Sequence, residues 1–243
     1  MKRIVVSNQK GGVGKTTLAL HVAARAQELG YRTLLIDLDA QGSATLSAAP
    51  SIELLPQQRA EVLWDDELAP QPLNCGACWS GIHLLGASDN LAGVDALDWD
   101  ISRQAMQRLP DGYDVVVFDT PPAAGPRQIV PMLDADVVVS PLEPDIYAQA
   151  GLVRLVQALH TVIEANPALD HRVVINRLQA RSSAQAQAAS QIAERVGYSL
   201  EGEPLRAREI VRQARDRGMP VWQFAKRDPA SAAWLATCTG ILQ

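Results

Sequence analysis

Gln9-Lys10-Gly11-Gly12-Val13-Gly14-Lys15-Thr16-Thr17, near the start of this 243-residue chain, decides the fold. It fits the phosphate-loop pattern G-x-x-x-x-G-K-[ST] loosely: Lys10 stands where the first glycine belongs, and Gly11 lies one place nearer the lysine. The rest fits well. Gly11, Gly12 and Gly14 lack side chains, so the backbone can bend tightly and aim successive N–H groups at an anion. Lys15 adds a cation for β- and γ-phosphates, and Thr16 offers a hydroxyl to Mg²⁺. Val13 and Thr17 complete the expected nucleotide-contacting loop. A helix begins here, so its positive dipole end faces the same anion.

The flanking sequence passes the context test. Arg3-Ile4-Val5-Val6-Ser7 is a short β-branched run, suited to a buried strand. After the loop, Leu18, Val22, Ala26 and Leu29 recur near helical spacing and Gly30 closes the helix. A tight structural turn is the alternative for such glycines. Strand, glycine-rich loop and helix in succession favour nucleotide binding.

Further apolar runs follow at Thr33–Ile36, Ile82–Leu85, Asp114–Phe118, Asp136–Val139 and Arg172–Ile175. They are nearly continuous rather than alternating, as parallel strands covered on both faces should be. Helical stretches are expected between them, at Asp145–Ala165 (Leu152, Leu155, Val156, Leu159 and Ile163 on one side), at Ser182–Val196, and from about Pro229, with Trp234 and Leu235 packing on the core. The predicted fold class is α/β: a doubly wound, mostly parallel sheet flanked by helices, with residues 1–243 as one domain. Residues 48–81, with four prolines, Trp64 and Trp79, read as a surface excursion with short helices.

Bulk properties narrow the classes. No run approaches the ~20 apolar residues of a membrane span. The chain enters its first strand at once, so a signal peptide is not expected, and the location expected is cytoplasmic. Net charge is −5, yet Arg172–Arg227 holds eleven Lys/Arg against five Asp/Glu, which makes this region the candidate for contacting a polyanion. Three cysteines do not form a disulfide framework. Cys75-Gly-Ala-Cys78 has metal-like spacing, but no second pair joins it and His83 alone is too little, so a reduced surface loop is the expectation.

In doubly wound folds the chemistry gathers at the carboxyl ends of strands. Three such ends carry polar groups here: Asp37-Leu38-Asp39-Ala40-Gln41-Gly42, Asp119-Thr120-Pro121-Pro122, and Asn176-Arg177. Asp119 follows four apolar residues, as a Walker B aspartate does, and is expected to hold Mg²⁺ through water; the alternative is a strand-end cap. Asp39 is placed to orient or deprotonate an attacking water, with Asp37 nearer the metal and Thr16; a helix cap or turn is the alternative for this pair. Asn176, both donor and acceptor, suits an adenine edge or a structural turn.

Together, the Lys10–Thr17 loop, the Asp37-Leu-Asp39-Ala-Gln-Gly block and Asp119-Thr-Pro-Pro resemble the deviant-Walker ATPases of the ParA/MinD group, over essentially the whole chain. The resemblance implies ATP and Mg²⁺ as cofactors and a face-to-face homodimer when ATP is bound. Lys10 matches the signature lysine that reaches the partner's phosphates, Lys15 the Walker lysine, and Asp39 the residue that positions the hydrolytic water. Asn176 and Pro204 fall where the family contacts adenine. Two lysines so close repel unless an anion lies between them, and a cation supplied in trans makes hydrolysis depend on dimerisation.

ParA-like members bind DNA non-specifically, work with a ParB-like or adaptor partner that stimulates hydrolysis, and position plasmids, chromosomes or protein cargo; MinD-like members bind membrane. The arginines favour the first, and with it a nucleoid-associated protein and no membrane partner. Arg208, Arg212 and Arg215 lie at helical spacing with Arg206 and Arg217 flanking, a stripe able to neutralise phosphates without reading bases. A solvated face balanced by Glu209 and Asp216 is the alternative; Arg181 and Arg195 are lesser candidates. Ala40 stands where the family commonly has proline, and the helix-turn-helix extension of larger ParA proteins is missing, so operator binding is not expected. A metal-cluster or metabolic enzyme of the same fold is the third reading, resting on the CxxC alone.

Overall fold

A computed structural model describes residues 1–144, 159–179, 182–195 and 199–243, with the side chains of 193–195 and 199 outside the description. Arg181, the side chain of Arg195 and most of the expected Asp145–Ala165 helix therefore lie outside the described residues.

The elements run β1 (Lys2–Val6), α1 (Lys15–Glu28), β2 (Thr33–Asp37), α2 (Ser43–Ala48), β3 (Leu73–Asn74), β4 (Ile82–Leu85), α3 (Leu91–Val94), α4 (Trp99–Gln104), β5 (Val115–Asp119), α5 (Pro126–Leu133), β6 (Val137–Leu142), α6 (159–165 among the described residues), β7 (Asp170–Ile175), α7 (Ser183–Arg195), β8 (Ser199–Leu200), α8 (Glu209–Asp216), α9 (Val221–Phe224) and α10 (Pro229–Leu242). Among the described residues eight strands form one sheet in the order β3-β4-β2-β5-β1-β6-β7-β8. Every pairing is parallel except β3 with β4 at the edge.

The six strands expected from the apolar runs are all present, and each central one is buried on both faces. Side chains alternate across a strand, so Ile4, Val6, Leu35, Val117 and Val139 pack under α1 and α10. Val5, Leu34, Ile36, Val116, Phe118 and Val138 face the opposite layer with Leu63, Leu91 and Met106. This two-sided covering is why the runs lack alternation. The helices α3 and α4 between β4 and β5 were not expected; they are only four and six residues long, with little periodicity to show.

Two expectations need correction. Residues 48–81 do contain short 3₁₀ turns (Pro56–Gln58 and Ala60–Trp64), and Gly76 and Ala77 of the CxxC loop are exposed, but the loop is anchored in the core at both ends. Cys75 is buried and Trp79 is 1% exposed. The Trp79 backbone N–H donates to the Gly218 carbonyl at 2.7 Å, and its ring meets buried His21 edge-on with centroids 5.3 Å apart. Trp222 and Trp234 flank the same imidazole. A large ring gains more by burial than the loop loses by ordering, which draws this irregular segment into the core. Burial pushes the Cys75 thiol up to about 12, so it stays protonated at neutral pH.

The second correction concerns the arginine stripe. α8 begins at Glu209, and Arg208 is its N-cap with extended backbone (φ −140°, ψ 124°). Arg208 therefore does not continue the helical face of Arg212 and Arg215.

Candidate functional site

β1 delivers the chain to the glycine loop at the carboxyl edge of the sheet. The Ser7 N–H donates to Val139 O at 3.0 Å. The Asn8 side chain donates to Pro141 O at 2.8 Å while its Oδ1 accepts the Lys10 N–H at 2.8 Å. Asn8 thus ties the start of the loop to β6. The sequence reading passed over it; its only signal was a lone amide between a buried strand and the glycines.

Gly12 and Gly14 hold left-handed backbone at φ 79° and 99°, and Gly14 is the N-cap of α1. A Cβ on Gly14 would lie 2.4 Å from Asn176 Nδ2. That same Nδ2 donates to Val13 O at 2.8 Å, and Asn176 Oδ1 accepts the Arg177 N–H at 2.9 Å. Buried Asn176 therefore braces the loop, with both ends of its amide engaged by backbone.

Lys15 is buried with its Nζ 3.4 Å from Lys10 O, whereas Lys10 is exposed at the front of the loop. Burial pulls the Lys15 ammonium below its usual range, and the charges of Asp119 and Asp39 oppose that. Thr16 and Thr17 are half-buried at the start of α1, whose first turn carries no acidic residue. Its free N–H groups suit an anion.

Asp37 and Asp119 end adjacent strands in direct register. Both are buried, and burial raises both carboxyls above the usual range. Their surroundings differ. Asp37 Oδ2 accepts the Thr45 N–H and hydroxyl, both at 2.8 Å, and its Oδ1 accepts the Asp39 N–H at 3.2 Å. Among the described residues no group reaches either oxygen of Asp119 with hydrogen-bond geometry, although the Thr16 side chain lies close enough to act on its charge. After burial, the Asp37 charge raises its carboxyl further, while the Thr16 side chain and Lys15 act to lower it. A bare buried carboxylate beside a threonine hydroxyl and a lysine fits a hydrated divalent cation, which would supply the charge that burial withholds. Asp39 is half-buried, and its Oδ1 accepts the Gln41 N–H at 3.0 Å.

A cavity of about 500 Å³ opens beside the loop, between Gly14, Thr17 and Asn176 on one side and α8 on the other. Arg206, Arg208, Arg212 and Arg215 all line it, and Arg177 joins them. Arg217, the C-cap of α8, is not on its wall. Arg212 bonds to Glu209 and, at 2.7 Å, to Asp216; Arg215 reaches Asp216 at 2.9 Å. Pro204 lines a neighbouring cavity with Leu178 and Trp234, so the structure does not place it in one cavity with Asn176.

The loop, the paired strand-end carboxylates and the sheet order are the parts of a P-loop nucleoside triphosphatase. Known proteins narrow this. The family described as AAA domain matches residues 1–171. The chromosome-partitioning ATPase Soj of Thermus thermophilus is 36% identical over 168 residues, covering 67% of this chain and 63% of its own. The chain thus spans a little under two thirds of that relative's length. The chromosome partitioning protein ParA of Caulobacter vibrioides is 28% identical over 249 residues, covering 97% of this chain and 91% of its own. The chain belongs to the ParA/MinD family of P-loop ATPases. In fold it also matches the cobyrinic acid a,c-diamide synthase of Mycobacterium smegmatis, solved with an ATP analog and magnesium (TM-score 0.80, 24% identity, covering 100% of this chain and 94% of that one).

Proposed function

We propose that the chain is an ATP-dependent switch: it binds ATP with Mg²⁺, closes into a homodimer, holds DNA without sequence preference, and releases it on hydrolysis stimulated by a ParB-like or adaptor partner. The observation that carries this reading is the different exposure of two lysines of one loop. Lys15 is buried under the loop, and Lys10 is exposed at its front. An exposed lysine at a phosphate site suits the phosphates of a facing subunit, where a second cation stabilises the charge that develops on the transferred phosphoryl group.

Within a subunit the loop N–H groups and Lys15 would hold the β- and γ-phosphates. Thr16 and Asp119 would hold the metal, Asp119 through water, with Asp37 kept in place behind it by Thr45. Bound there, Mg²⁺ would neutralise the phosphate oxygens. Asp39 would orient the attacking water and take its proton as the water oxygen bonds to the γ-phosphorus and the bond to the β-phosphate bridge oxygen breaks. Asn176 would shape the base side of the site from beneath while bracing Val13, with Pro204 at its outer edge. Arg206, Arg208, Arg212, Arg215 and Arg217 would contact DNA phosphates, on a cytoplasmic, nucleoid-bound protein. Names of relatives such as Soj and ParA support a partitioning role.

DNA binding measured with ATP, with ADP and in Arg212→Glu tests this reading. ATP-dependent binding weakened in the variant is expected; equal binding in all three would refute it. Sedimentation of Lys10→Ala with ATP tests the dimer, and co-sedimentation with anionic vesicles tests the membrane-binding alternative.

A further inference from the structure

Arg127, on the first turn of α5, is 7% exposed. Its guanidinium fork closes on Asp95, with Nε 3.0 Å from Oδ1 and Nη2 2.5 Å from Oδ2. The remaining nitrogen, Nη1, donates to the Leu38 carbonyl at 3.1 Å. Leu38 lies between Asp37 and Asp39, and its own N–H donates to the Asp119 carbonyl at 2.8 Å. The backbone joining the two carboxylates is therefore fixed on one side to the end of β5 and on the other to α5. Asp95 is closely fitted: a Cβ on Gly125 would approach its Oδ1 to 3.0 Å. An ion pair between a buried arginine and an aspartate whose side chain is a third exposed is weak evidence of stabilisation in itself, since an apolar pair of similar size often serves as well. What an apolar pair cannot do is hold the Leu38 carbonyl.

We infer that Arg127 is a positioning residue for hydrolysis, acting through Leu38 to keep the Asp39 carboxylate at the attacking water. The inference rests on the reading that Asp39 handles that water. Arg127→Lys keeps the charge and loses the fork. It is expected to lower the single-turnover rate at least tenfold, with KM for ATP within twofold of the parent. Hydrogen–deuterium exchange in the 37–41 segment is expected to quicken, which reads the clamp apart from activity. The double variant Arg127→Met with Asp95→Leu supplies a folded apolar pair. It should melt near the parent's temperature, remain slow and exchange quickly. Recovered turnover in the double variant, or normal turnover and normal exchange in Arg127→Lys, would overturn the inference. Asp39→Ala separates the two ideas: parental turnover there overturns the role of Asp39, and with it the mechanistic part of the inference, while the exchange data still decide whether Arg127 holds this backbone.

Discussion

Asp37 and Asp119 are register partners on adjacent parallel strands, and among the described residues one carboxylate accepts three hydrogen bonds while the other accepts none. On the proposed reading that asymmetry separates their duties: Asp37 would belong to the scaffold that Thr45 fixes, and Asp119 would be the group left for a cation.

Asp119→Asn follows directly. Without metal the variant should be more stable than the parent, by about 2 kcal/mol, because a bare buried charge beside a second carboxylate is costly. The same change should remove the extra stabilisation that Mg²⁺ adds to ATP. Thermal melts with ATP, with and without Mg²⁺, check both effects.

Gly14→Ala should abolish nucleotide binding. The left-handed φ of 99° strains any side chain, and the added carbon would displace the Asn176 amide that braces Val13. Asn176→Ala should be milder, costing about 1–2 kcal/mol for one buried hydrogen bond and weakening nucleotide binding several-fold. Fluorescent-nucleotide titration ranks the two.

Acid should destabilise the protein through His21. Burial pulls its pKa down from 6.5 to about 4, against the opposing bond to the Thr17 carbonyl and with help from the Arg215 charge. Because the unfolded chain binds the proton more readily in this window, the stabilising contribution is complete above pH 6.5 and is lost as pH falls toward 4. Lowering the pH from 7 to 5 should cost about 2 kcal/mol from this group alone. In His21→Gln the difference between the two pH values should shrink by that amount in urea titrations.

Neutralising the acids that hold Arg212 offers a test of opposite sign to its removal. If Arg212 meets DNA phosphate, Glu209→Gln with Asp216→Asn should tighten DNA binding by severalfold, since the guanidinium no longer has to leave an ion pair. Unchanged affinity across a salt series would show that this arginine serves only its own helix.

Trp79→Ala should cost about 3–5 kcal/mol, the usual penalty for emptying a buried aromatic site. Calorimetric melting checks it, and retention of the parent's stability would mean that the CxxC loop does not close the core.

Much of the site could be read directly because its chemistry is local. A glycine that must be left-handed, a lysine next to it and an acid at the end of an apolar run each leave a mark within a few residues. Lys10, Lys15, Asp37, Asp39 and Asp119 are proposed on such marks, and the same apolar runs gave the strands. Asn8, Thr45, Arg127 and Asp95 were missed, since each acts on a group brought close only by folding. Trp79 looked like a loop residue because nothing in its neighbourhood reveals the imidazole and indole rings that surround it.

The sequence by itself therefore determined the phosphate loop, the doubly wound sheet and the family, because backbone conformation and two-sided burial are imposed residue by residue. Only the tertiary structure decided which carboxylate stays bare, which amide braces the loop, and that five arginines share a cavity with the start of α1. Those relations depend on chain segments far apart in sequence meeting at one sheet edge, where burial strengthens every charge and makes each unpartnered oxygen costly.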